Sequence, residues 1–183
     1  MEKGEGERDN GQRCLTIPSI IERTKRSTSI RERMADFKLP DDLKFNRGMI
    51  QDPDSYAKES GCASWLFLVG EEFASMPGGI SYEQVKHAMP TNARVISDPP
   101  RVLDLELARK HVDALDHLPR PTLISCRSGP RASAVAYMYA GLKQGAKAED
   151  VIAAAEAGSA PFCASEEYKE WVRSSMGSLK EEI

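Results

Sequence analysis

The chain has 183 residues, 40% of them hydrophobic and 29% charged, with a formal charge of -3 at pH 7. That length fits one globular domain with a tail, and so small a net charge gives no global pull toward nucleic acid or anionic membrane. No stretch has the length of a membrane span, and the N-terminus lacks the apolar core of a secretory signal.

Residues 1–42 are polar and charge-rich and read as a mostly flexible tail. Within it Leu15, Ile17, Ile20 and Ile21 precede Arg23, Lys25, Arg26, Arg31 and Arg33. This pattern is either a solvated tail or a short basic amphipathic helix, a candidate to dock a partner. Residues 43–183 are expected to form a single domain. Asp52-Pro53-Asp54 opens a short helix that stops at Gly61. Ala63 to Val69 is a near-continuous apolar run closed by Gly70, the pattern of a parallel strand covered on both faces. Ser81 and Gln84 have capping-box spacing and start a second helix. A strand follows at Ala93–Ser97 and ends on Asp98-Pro99-Pro100. From Leu103 to Leu118, Leu105, Ala108, Val112 and Leu115 recur three and four apart, as in an amphipathic helix.

Thr122-Leu123-Ile124 then reads as a buried strand, running into Ser125-Cys126-Arg127-Ser128-Gly129-Pro130-Arg131 and a helix starting near Ser133. Gly145 is a C-cap, Ala148-Glu149-Asp150 begins a helix ending at Gly158, and Ser165-Glu166-Glu167 begins the last. Tyr168, Trp171 and Val172 form the buried side of that helix. Strands alternating with helices predict an α/β fold with a mainly parallel central sheet flanked by helices. Gly70, Asp98 and Cys126 then fall together beyond the carboxyl ends of the strands.

The chemistry concentrates at Cys126. A loop entering a helix N-terminus points backbone N–H groups at one spot, which binds a tetrahedral oxyanion and favours thiolate over thiol. Arg131 supplies a planar fork for two oxyanion oxygens, and Gly129 permits the turn. Cys126 could instead be a buried structural thiol. The spacing is C-x4-R with an inner glycine, as in rhodanese-type sulfurtransferases, rather than the C-x5-R of cysteine phosphatases. Ser133 nevertheless stands where a phosphatase places its hydroxyl, either to meet the Cys126 thiolate or to cap the helix. Pro130 removes one N–H from the cradle.

At these residues the chain resembles the phosphatase-like domain family named for its occurrence in beta-lactamase-hydrolase-like proteins, formerly a domain of unknown function. The resemblance runs from about Phe45 to Trp171. It is carried by Trp65–Val69, Val95–Pro100, Pro121–Leu123 leading into Cys126–Arg131, and Val151–Gly158. It implies a protein-tyrosine or dual-specificity-phosphatase-like fold despite the rhodanese-like loop. It also implies Cys126 as nucleophile, Arg131 as the oxyanion-binding arginine and Asp98 as general acid. For Asp98 the other reading is a turn residue, and Asp104 is the runner-up acid or a helix cap. The oxyanion loop comprises Arg127, Ser128, Gly129, Arg131, Ala132 and Ser133. Such domains also occur beside sulfide-oxidation enzymes, which keeps sulfur chemistry in view.

The expected function is a cysteine-dependent phosphatase-like hydrolase that needs no metal or organic cofactor. The alternatives are a sulfurtransferase carrying a Cys126 persulfide and a non-catalytic module that docks a phosphorylated ligand. The expected substrate is a phosphorylated or sulfur-containing small molecule or protein, with no nucleic-acid partner. The cysteines Cys14, Cys62, Cys126 and Cys163 lack C-x2-C pairs, so neither a zinc site nor a disulfide framework is expected. Their use fits a reducing compartment, the cytoplasm by default, with an organelle left open. Cys62 and Cys163 read as packing residues, as do Trp65 and Trp171. His87, His111 and His117 show no ligand spacing and are placed on helix surfaces.

Overall fold

The local signals are realised as caps. Asp52 accepts hydrogen bonds from the N–H groups of Asp54 and Ser55, Pro53 takes the first helical position, and helix α1 runs Pro53–Ser60. It ends on Gly61 at φ 63°, a left-handed conformation that glycine adopts without steric cost. Ser81 and Gln84 close a reciprocal capping box on α2, Tyr82–Ala88. Asp104 accepts from Leu107 N–H at 2.7 Å and so caps α3, Leu105–His117. The remaining helices of the described residues are α4 (Pro130–Lys143), α5 (Ala148–Ala157) and α6 (Glu166–Lys180). All of this is read from a computed structural model that describes residues 37–98 and 102–181, Asp98 by its backbone alone.

Among the described residues four strands form one parallel sheet in the order β1-β4-β2-β3, with β1 at Leu43–Phe45, β2 at Ser64–Val69, β3 at Asn92–Asp98 and β4 at Thr122–Ser125. The fold is therefore α/β, as the alternation of elements predicts. Every residue of β2 is buried, because helices cover both faces. Side chains alternate across a strand. Trp65 meets the Tyr56 ring of α1 at 6.3 Å, and Phe67 stacks on Tyr82 of α2 at 6.0 Å. Leu66 and Leu68 point the other way, into the core shared with α4. That helix is buried at every position from Arg131 to Leu142. A side chain at Gly141 would strike Val151 of α5 and Met176 of α6, so both helices come close onto α4.

The structure departs from the sequence reading in several places. Strand β1 was not anticipated; three residues are too few to show a periodicity, and its pairing partner β4 lies far along the chain. Phe37 and Leu39, inside the segment read as tail, pack against the core, with the Phe37 ring 6.1 Å from that of Tyr137. Helix α4 begins at Pro130 rather than near Ser133. Proline suits the first helical position, where its missing N–H would have had no partner within the helix. Residues 1–36, and with them the basic amphipathic segment and Cys14, lie outside the described residues. Among the described residues no helix is long and apolar enough to cross a membrane.

Candidate functional site

Gly70 directly follows β2, Asp98 is the last residue of β3, and Cys126 is the first residue after β4. All three stand at the carboxyl end of the sheet. Strand β4 is held hard in place, since all four of its residues are buried and the Ser125 hydroxyl accepts from Trp65 Nε1 at 2.7 Å. Beyond it the chain turns through Gly129, at φ 115° and ψ -29°, into α4. The turn folds two backbone donors onto the thiol. Gly129 N–H donates to Cys126 Sγ at 3.1 Å, and Ala132 N–H at 3.5 Å. Gly129 is the N-cap of α4 and Ala132 lies in its first turn, positions whose N–H groups have no partner inside the helix. Cys126 is 8% exposed.

Arg131 lies on the same first turn but buries its guanidinium between Val102 and α6. It is 1% exposed. Its Nη1 donates to Val102 O at 2.8 Å, and its Cζ lies 5.8 Å from the ring centroids of both Tyr168 and Trp171. Nε and Nη2 are buried without a hydrogen-bond partner among the described residues. These two donors form one edge of the guanidinium, the edge that holds two oxygens of an oxyanion side by side.

The remaining loop residues divide. Arg127 and Ser128 are exposed at its tip, and the Arg127 guanidinium sits 5.0 Å over the Phe73 ring. Ser133 is fully buried, and its hydroxyl neither meets the Cys126 sulfur nor caps α4. It donates to Pro130 O at 2.9 Å and accepts from Phe162 N–H at 3.1 Å, tying the 3-10 turn Pro161–Ala164 to α4. For Asp98 the side chain lies outside the described residues, as do residues 99–101. Asp104, the runner-up acid, has its carboxylate engaged as the α3 cap.

The Cys126 thiol opens on a cavity of about 20 Å³ walled by Phe67, Val69, Phe73, Ile80 and Arg127. That is room for about one water molecule. The segment from Glu71 to Ile80 roofs it. A wider cleft of about 360 Å³ lies along β1 beside Lys44, Phe45 and Tyr56 and carries none of the predicted site residues. Among the described residues no group of three or more His, Cys, Asp or Glu is placed to hold a metal ion.

Two residues at the site were not singled out from the sequence. Asn46, 1% exposed, binds both backbone groups of Cys126: Oδ1 accepts from Cys126 N–H at 3.1 Å and Nδ2 donates to Cys126 O at 2.9 Å. Nothing near Asn46 in sequence signals this, because its partner is 80 positions away. The second is His111, expected on a helix surface but fully buried. The signal was present, since residue 111 falls on the same stripe as Ala108 and Leu115. The Ser97 hydroxyl, which also bonds Val95 O at 3.0 Å, lies within hydrogen-bond distance of His111 Nε2 at 2.6 Å, while Nδ1 is buried with no partner among the described residues. Burial, with the Arg131 charge beside it, holds the imidazole down to about 3, so it is neutral at ordinary pH.

Comparison of the chain with family models, curated proteins and solved structures finds no match. Its chemistry rests on this geometry.

Proposed function

We propose that the protein is a cysteine-dependent phosphatase-like hydrolase with a dual-specificity-phosphatase-like fold. The observation that carries the reading is the pair of backbone N–H groups, from Gly129 at the N-cap and Ala132 in the first turn of α4, directed at Cys126 Sγ. Such donors stabilise a thiolate more than a thiol. In the proposed reaction the thiolate attacks phosphorus, the bond to the leaving oxygen breaks, and a cysteinyl phosphate forms. Water then hydrolyses that intermediate and releases phosphate and the free thiol. The donors assigned to the equatorial oxygens are the Nε–Nη2 edge of Arg131, without a partner among the described residues, and the amides of the loop tip. Asp98, at the end of β3, is assigned the proton for the leaving group.

A second reading, sulfane-sulfur transfer through a Cys126 persulfide, is favoured by one observation. The cavity above Sγ is small and mostly apolar, which suits one added sulfur atom better than a charged ester.

The two chemistries separate in one set of assays. An aryl phosphate, with its good leaving group, is expected to require Cys126 and Arg131 but to depend only weakly on Asp98. An alkyl phosphate is expected to lose roughly 10²-fold in rate with Asp98→Asn, within the usual contribution of a general acid. Robust transfer of sulfur from thiosulfate to cyanide, with phosphate release no higher than in Cys126→Ser, would overturn the phosphatase reading. Absence of both activities with phosphate binding retained would mark a non-catalytic docking module.

A further inference from the structure

Strand β1 pairs with β4 through Phe45 and Ile124, and Asn46 N–H extends the pairing to Ile124 O at 3.3 Å. Backbone pairing with β1 then ends, two residues short of the nucleophile. The Asn46 side chain carries the ladder on. A carboxamide has the same donor and acceptor as a peptide unit, and this one meets the Cys126 peptide from both sides, at N–H and at C=O. The second hydrogen of Nδ2 goes to Gly48 O at 2.8 Å, so the amide is fixed in turn from behind. The main chain of the same residue abuts the far end of the loop. A Cβ on Gly129 would collide with the Asn46 carbonyl oxygen and press on Arg47 Cα.

Both ends of the Cys126–Gly129 loop therefore rest on one buried residue. The hydrogen bond that spans those ends is the one from Gly129 N–H to Cys126 Sγ. Resting on the hydrolase reading above, we propose that Asn46 is a positioning residue that sets the reactivity of Cys126. It does so by holding the Cys126 backbone where Sγ meets the Gly129 and Ala132 amides. It touches neither sulfur nor substrate. With the carboxamide gone, Cys126 loses its ladder partners at the point where the chain leaves the sheet, and the alignment of two sulfur hydrogen bonds goes with them. Directional hydrogen bonds weaken steeply with misalignment, so the effect falls on the thiolate rather than on the fold alone.

The test uses the full chain and follows iodoacetamide labelling of each cysteine by mass spectrometry, with the unfolding midpoint measured in parallel. In the wild type, Cys126 is expected to label faster than Cys62 or Cys163 at about pH 6, where an ordinary thiol is almost wholly protonated. Asn46→Ala is expected to slow Cys126 about tenfold at that pH, the scale of one well-made hydrogen bond, while Cys62 and Cys163 keep their rates. Asn46→Asp keeps the volume and the acceptor for Cys126 N–H, loses the donor to Cys126 O and Gly48 O, and should show the same pattern; it carries the test if the alanine variant does not fold. A merely structural role would lower the unfolding midpoint and leave the ratio of Cys126 to Cys163 labelling unchanged. An unchanged or increased ratio in a folded variant overturns the proposal. A wild-type Cys126 no faster than Cys163 would overturn the hydrolase reading and this inference with it.

Discussion

Replacing Arg131 by methionine should make the ligand-free protein more stable and abolish its response to phosphate. Arg131 is buried and charged, and Nε and Nη2 have no partner among the described residues. Each stranded donor on a charged group costs about 2–3 kcal/mol, so the two together cost about 4–6 kcal/mol. Against this stand the Nη1 bond to Val102 O, worth about 2 kcal/mol, and the contacts with Tyr168 and Trp171, about 0.5 kcal/mol each. Val102 is 37% exposed, so its carbonyl can turn to water when the arginine is gone. Methionine has a similar length and packs well against aromatic rings. The balance favours Arg131→Met by about 2 kcal/mol, or roughly 6 °C in a domain of this size. Phosphate at a hundred times its Kd should add about 2.7 kcal/mol to the wild type and nothing to the variant. Thermal unfolding of both proteins with and without inorganic phosphate gives all four values. A variant less stable than wild type by more than about 1 kcal/mol, or one that phosphate stabilises equally, would show that the guanidinium is satisfied internally and holds no anion.

Two further outcomes follow from buried geometry. His111 is held down at about 3 in the folded state by burial and by Arg131, against about 6.5 when unfolded. The unfolded state therefore binds more protons between those values. The stability it contributes is complete above about pH 6.5 and is lost as pH falls, by about 1.4 kcal/mol per pH unit. Urea unfolding at about pH 6.5 and pH 4.5 should show His111→Gln losing some 2–3 kcal/mol less than wild type over that interval, and equal losses would refute a buried neutral imidazole. At the loop, Gly129→Ala places a side chain at φ 115° against the Asn46 carbonyl and should cost about 3 kcal/mol or more in urea unfolding. A loss under about 1 kcal/mol would mean that the loop shifts freely and does not hold the sulfur.

The helix starts at Asp52, Ser81 and Asp104, the buried strand Trp65–Val69 and the strand–cysteine–glycine–helix junction at Cys126 are all legible in the sequence. Each is decided by residues within a few positions of one another: a cap and the amides it accepts from, an alternation of side chains, a glycine where the chain must turn. The α/β class follows from their order. Tertiary structure alone decided that Leu43–Phe45 is a strand, because only β4 satisfies its backbone. It alone decided that Asn46 brackets Cys126, that the Arg131 guanidinium lies against Trp171 with one edge unpartnered among the described residues, and that Ser133 serves the Phe162 turn rather than the sulfur. Those assignments depend on hydrogen bonds and burial between segments distant in sequence. A carboxamide or a guanidinium has donors enough for many partners, and only the packed fold selects which of them it meets.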